Sequence, residues 1–206
     1  MYYISTRGNG GKVTSAQAIK QGIAADGGLF VPEKLPVFSE PELRKMLGMN
    51  YSERAVHILG KFLCDYSEEE LSGYCEKAYS EENFRSGGTP APVINLNDRI
   101  SVLELYHGPT SAFKDMALQL MPYLLAGALE KTGEKRDAFI LTATSGDTGK
   151  AALEGYRDAP RVKIMVFYPV DGVSRIQKLQ MSTQTGENVF VCPVEGNFDD
   201  AQTGVK

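Results

Sequence analysis

The chain has 206 residues, of which 42% are hydrophobic and 23% charged, with a net charge of −4. That composition excludes a disordered or fibrous chain and leaves room for one large domain or two small ones. No basic run suggests nucleic acid, the start carries no signal-peptide pattern, and the only long apolar run, 116–129, is shorter than a membrane span and holds Gln119, Pro122 and Gly127.

From the start, residues 2–6 read as a strand and Gly8 to Gly11 as a turn, since a phosphate loop would need a different glycine spacing and a Ser or Thr after its lysine. Ser15 is expected to cap a short helix that closes at Gly22. Asp26-Gly27-Gly28 and Pro32 then bracket a short extended stretch at Leu29-Phe30-Val31. Three amphipathic helices follow. Ser39 with Glu42 and Ser67 with Glu70 make capping boxes for the first and third, and Asn50 or Ser52 opens the second. The acids at 68–70 and 81–82 complement helix N-termini and are expected to be solvated. His57 falls within a helical pattern, which leaves only His107 and no metal cluster. Cys64, Cys75 and Cys192 lack CxxC spacing and read as reduced thiols of a cytoplasmic protein. The glycine and proline cluster after Arg85 sets a boundary near Gly88, giving domains at 1–88 and 89–206.

Beyond the boundary, strands over 100–106, 138–143, 162–168 and 189–194 alternate with helices over 113–129, 150–157 and 174–181. The strands are continuous apolar runs, the pattern of a parallel sheet covered on both faces. The predicted fold is therefore α/β, an open doubly wound parallel sheet preceded by a small, mostly helical amino-terminal domain. Residues 198–206 read as the opening of another helix with no end signal.

Two turns follow strands and so can meet at the carboxyl edge of such a sheet. In the first, His107-Gly108-Pro109-Thr110-Ser111-Ala112-Phe113-Lys114-Asp115, a lysine enters a helix whose continuation is apolar nearly all round. A lysine buried there can shed its proton and act as a nucleophilic amine, although a solvated lysine whose stem covers apolar surface is the plainer reading of that stretch alone. In the second, Thr144-Ser145-Gly146-Asp147-Thr148-Gly149 joins a strand to a helix N-terminus, a ready anion site. Its spacing is wrong for a P-loop and suits an amino-acid carboxylate.

Taken together, HGPTSAFKD and TSGDTG resemble the threonine synthases, pyridoxal-phosphate enzymes of the tryptophan-synthase-β-like fold (fold type II). Further matches lie at 3–8, 26–32 and 194–200. The resemblance implies that Lys114 holds pyridoxal 5'-phosphate as a Schiff base and moves protons, with Phe113 near the cofactor. It implies that Thr144, Ser145, Gly146 and Thr148 bind the substrate carboxylate and that Asp147 lies close to the cofactor's phenolic oxygen. The alternative for Asp147 is an N-cap of the following helix. The reaction implied is conversion of O-phospho-L-homoserine and water into L-threonine and phosphate. Arg7, Lys150, Ser174 and Arg175 are substrate-phosphate candidates by chemistry alone, and Lys150 is expected at the surface. The family's chains are more than twice as long, so these residues are expected to be an amino-terminal piece lacking the cofactor-phosphate cup and inactive by itself. Two other readings stay open: a serine or threonine dehydratase of the same fold, and a non-catalytic binding paralogue.

Overall fold

The computed structural model describes residues 1–205. They gather into two compact units, one comprising Met1–Tyr79 with Tyr123–Lys135 and the other Ser80–Pro122 with residues 136–205.

The first unit opens with β1 (Tyr3–Ser5), α1 (Ser15–Gln21) and β2 (Phe30–Pro32), the two strands pairing antiparallel. Thr14, one residue before the predicted Ser15, is the N-cap of α1. It accepts from the Gln17 amide while the Gln17 side chain accepts from the Thr14 amide, and only Thr14 has the extended backbone that this exchange needs. Capping boxes likewise start α2 (Glu40–Leu47) at Ser39 with Glu42, α3 (Tyr51–Phe62) at Asn50 with Glu53, and α4 (Glu68–Ala78) at Ser67 with Glu70. Leu71, Cys75 and Ala78 of α4 are buried. With α5 (Asp115–Leu118) belonging to the second unit, α6 (Met121–Lys131) lends its length from Tyr123 onward to this core. Tyr66 donates its hydroxyl to the Leu124 carbonyl at 2.8 Å, and Tyr74 stacks on Tyr123. A Cβ on Gly127 would stand 2.8 Å from the Tyr74 hydroxyl, so this close approach of α6 requires glycine.

The helix expected over 113–129 is thus two helices. Pro122 explains the restart, because it has no amide to donate and is tolerated only in the first turn of a helix, its place in α6.

In the second unit β3 (Val93–Asn97) and β4 (Ile100–Leu103) form an antiparallel hairpin. The expectation that 100–106 belongs to the parallel sheet is corrected here: Asn97, Asp98 and Arg99 make a tight turn, with Asn97 Oδ1 accepting from the amides of Arg99 and Ile100 at 2.9 and 3.1 Å, so strand 100–103 folds back on 93–97. The parallel sheet has the order β5 (Ala138–Ala143), β6 (Val162–Pro169), β7 (Val189–Val194). Between its strands lie α7 (Asp147–Tyr156) and α8 (Arg175–Ser182), which pack on each other. After β7 the chain does not step outward; α9 (Phe198–Val205) comes back to pack against β5 and β6, the reversal of winding of an open doubly wound sheet. Val162, Ile164 and Val166 on one face and Ala151 and Leu153 of α7 are buried. On the other face Phe139, Leu141 and Phe190 are exposed, so that face is covered only in part among the described residues. No helix among the described residues is long and apolar enough to cross a membrane.

Candidate functional site

The first turn is built around one buried carboxylate. Asp115, fully buried at the start of α5, accepts the Thr110 amide on Oδ2 at 2.9 Å and the Thr110 hydroxyl on Oδ1 at 2.7 Å. Gly108 makes this possible, because a Cβ there would stand 2.5 Å from the Asp115 side chain. The turn closes through the Ser111 amide, which donates to the Gly108 carbonyl at 3.1 Å, with Ser111 in the left-handed region at φ 56°.

Lys114 follows as the residue preceding α5, and its ammonium lies 4.2 Å from the centroid of the Phe113 ring. Lys114 is only partly buried and Phe113 is exposed. Lys114 is therefore neither sunk in an apolar core nor fully solvated: it is half-buried between the exposed Phe113 and the buried Asp115, and the apolar run goes inside only from Leu120 onward.

The second turn is organised by Thr144, 2% exposed at the end of β5. Its amide donates to the Phe167 carbonyl, and its Oγ1 accepts from the amides of Gly146 at 3.0 Å and Gly149 at 2.9 Å. The Thr144 hydroxyl therefore caps the start of α7. Asp147 does not: the N-cap is Gly146, at φ 144°, and Asp147 is the first helical residue. A side chain on Gly146 would strike Gln177, which is one reason for glycine there. Ser145, Asp147 and Thr148 are exposed, and the first amides of a helix have no acceptor within it. Three amides at a helix start, with two hydroxyls beside them, can bind a carboxylate or similar anion.

Asp147 points its Oδ1 at Gln177 Nε2, 2.9 Å away, and at Lys150 Nζ, 3.6 Å away. The hydrogen bond from Gln177 first, then the Lys150 ammonium and the more distant Lys114 ammonium, hold its carboxyl below the usual aspartate range. Asp147 is thus an anion at neutral pH. Gln177 does double service, since its Oε1 also accepts from the Ser174 amide in the capping box of α8.

Lys150 corrects the sequence reading most. It was expected at the surface; it is 8% exposed, and its ammonium donates to the Thr110 carbonyl at 2.9 Å. The sequence held a signal for this. Lys150 stands next to Gly149 and Ala151 and three residues before Leu153, in the sector of α7 that packs inward. The two signature turns, distant in sequence, are therefore joined by a direct hydrogen bond.

Of the other phosphate candidates, Ser174 Oγ accepts from the Gln177 amide as a helix cap, Arg175 is exposed, and Arg7, in the first unit, donates to the Asp26 carbonyl at 2.9 Å. Sequence reasoning missed a pair beside the first turn: His107 Nε2 lies 2.7 Å from Glu104, whose carboxyl is kept below its ordinary range by hydrogen bonds from Tyr106 and His107. A cavity of about 580 Å³ is lined by Arg85, Tyr106, His107, Ser111, Glu154 and Arg157 among others, and neither Lys114 nor Asp147 lines it. Among the described residues no group of three His, Cys, Asp or Glu is placed to hold a metal.

Residues 2–79 match the family described as threonine synthase N terminus. Over all of its length the chain is 42% identical to the threonine synthase of Pseudomonas aeruginosa, of which it covers 43%. It is 40% identical over 93% of its length to the human threonine synthase-like 1, covering 26% of that protein. Among solved structures it is similar to the PLP-bound threonine synthase of Brucella melitensis, with a TM-score of 0.88 and 36% identity over 98% of this chain and 43% of that one. The yeast threonine synthase gives a TM-score of 0.87 at 34% identity, over 98% of this chain and 42% of that one. The chain spans less than half the length of the threonine synthases it matches, and its α/β fold is the one expected from that resemblance. In sequence and in fold, the chain matches the amino-terminal portion of the threonine synthases.

Proposed function

We propose that this chain carries the lysine and the substrate-carboxylate turn of a pyridoxal-phosphate-dependent threonine synthase, which converts O-phospho-L-homoserine and water into L-threonine and phosphate in the cytoplasm. One observation carries the reading: the turn before Lys114 and the turn at the start of α7 are bonded to each other through Thr110 and Lys150.

The residues present fit the cofactor. Lys114 offers a partly exposed amine at a helix start, Phe113 presents an exposed ring beside it, and the Lys114 charge reaches Asp147. Bound pyridoxal phosphate supplies an electron sink for the charge left when a proton leaves the α carbon of an amino acid. Lys114 Nζ would hold the cofactor and, once displaced by the substrate amine, take and return protons as base and acid. The amides of Ser145, Asp147 and Thr148, with the hydroxyls of Ser145 and Thr148, would bind the substrate carboxylate. Gly146 lets the backbone approach that group, and Thr144 holds the turn through its hydroxyl, not by direct contact. Two carboxylates in one site repel, and the Asp147 side chain avoids this by turning its Oδ1 to Gln177 and Lys150.

The test is turnover by the product of the whole reading frame. Release of threonine and phosphate from O-phospho-L-homoserine, abolished by Lys114→Ala, supports the reading. Turnover that survives Lys114→Ala, or production of a 2-oxo acid from serine or threonine in its place, contradicts it.

A further inference from the structure

We infer that Lys150 is a positioning residue, whose ammonium fixes the turn preceding Lys114 to the turn that begins α7; this rests on the function proposed above. Thr110 is buried, and each of its polar atoms is taken. Its amide and hydroxyl go to Asp115 on α5, and its carbonyl accepts from Lys150 on α7. One residue of the first turn is thus clamped from two helices, four positions before Lys114.

The same ammonium lies 3.6 Å from Asp147, so a single buried cation touches both turns. Burying a charged side chain is costly unless it is hydrogen-bonded and paired. Here compensation comes from the Thr110 carbonyl and the Asp147 carboxylate, with the Asp115 carboxylate one residue removed through Thr110.

The backbone brings the two helices close at a second place. Gly155, later on α7, lies where a Cβ would run into the Leu118 carbonyl of α5, so the two helices pack backbone against backbone beside the tie. Removing the Lys150 ammonium would leave the Thr110 carbonyl buried without a donor and Asp147 held by Gln177 alone. The Lys114 turn would then lose its tie to the carboxylate turn while each turn keeps its internal hydrogen bonds. A small displacement between a reacting amine and the group that orients its substrate is costly to both binding and rate.

The experiment compares the whole-reading-frame protein with Lys150→Met, which keeps the stem and removes the charge, and with Leu153→Ala, which weakens the packing of the same helix and leaves the tie in place. Two quantities are read: amide hydrogen exchange over residues 108–115, and the pyridoxal-phosphate concentration that half-saturates borohydride-trapped labelling of Lys114. In Lys150→Met, exchange over 108–115 rises and the half-saturating concentration increases about tenfold to a hundredfold. Leu153→Ala, compared at the same interval below its own unfolding temperature, shows neither local change. Unchanged exchange over 108–115 in Lys150→Met overturns the inference, as does an equal effect of Leu153→Ala. Absence of labelling in the unaltered protein instead overturns the cofactor reading, because the exchange measurement involves no cofactor.

Discussion

Asp115 holds Thr110 by both its amide and its hydroxyl, and the lysine that matters most to the proposed chemistry sits between them in sequence, one residue from the carboxylate. Replacing Asp115 by Ala leaves a buried amide and a buried hydroxyl without acceptors. The expected cost is about 1–3 kcal/mol for each unsatisfied group, lowered by whatever water enters. Thermal unfolding of Asp115→Ala should show a drop of several degrees, and an unchanged midpoint would mean that the carboxylate does not bear on the turn's stability.

Two glycines in helices should respond in opposite directions to the same change. A Cβ on Gly155 meets the Leu118 carbonyl, which is backbone and cannot move aside, whereas a Cβ on Gly73 of α4 meets nothing within 4 Å. Gly155→Ala is expected to destabilise by about 1–3 kcal/mol through overpacking. Gly73→Ala is expected to stabilise by about 0.5–1 kcal/mol, as alanine does in a helix. Chemical denaturation of the two variants measures both signs.

Glu42 supplies a pH prediction within the first unit. A hydrogen bond from Lys61 at 2.6 Å, and then those from the Ser39 amide and hydroxyl, bring its carboxyl from the ordinary 4.5 down to about 2. A carboxyl with a lowered folded pKa contributes stability that is present above 4.5 and is lost as pH falls from there through about 2. Glu42→Gln should therefore unfold at a lower temperature than the unaltered protein at neutral pH. The gap should narrow across that acid window, and a gap independent of pH would count against the ion pair.

The thiols should separate by burial. Cys75 is fully buried, and burial pushes its thiol up to about 11, while Cys64 is exposed. At mildly alkaline pH a thiol reagent should modify Cys64 in the folded protein and reach Cys75 only after unfolding, since the thiolate is the reactive form. Mass spectrometry of digests reads the order directly.

Much of this was legible in the sequence because it is local. The capping boxes of α2 and α4 are spelled by residues three apart, and β5 and β7 match their apolar runs end to end. What failed depended on partners far away. Ile100–Leu103 is apolar enough for a buried parallel strand, and only its pairing with Val93–Asn97 shows otherwise. Asp147 could have been the cap of α7, but the hydroxyl of a threonine three residues earlier takes the Gly146 and Gly149 amides. Lys150 carries a charge that composition assigns to the surface, and its burial is decided by the Thr110 carbonyl forty residues away.

The most direct test of the central claim is which lysine takes pyridoxal phosphate. The whole-reading-frame protein is incubated with the cofactor, reduced with borohydride, digested and mapped by mass spectrometry. The account predicts that the pyridoxyl group is found on Lys114 above all other lysines and is lost in Lys114→Ala. Labelling spread evenly over surface lysines, or concentrated on a lysine other than Lys114, would contradict it.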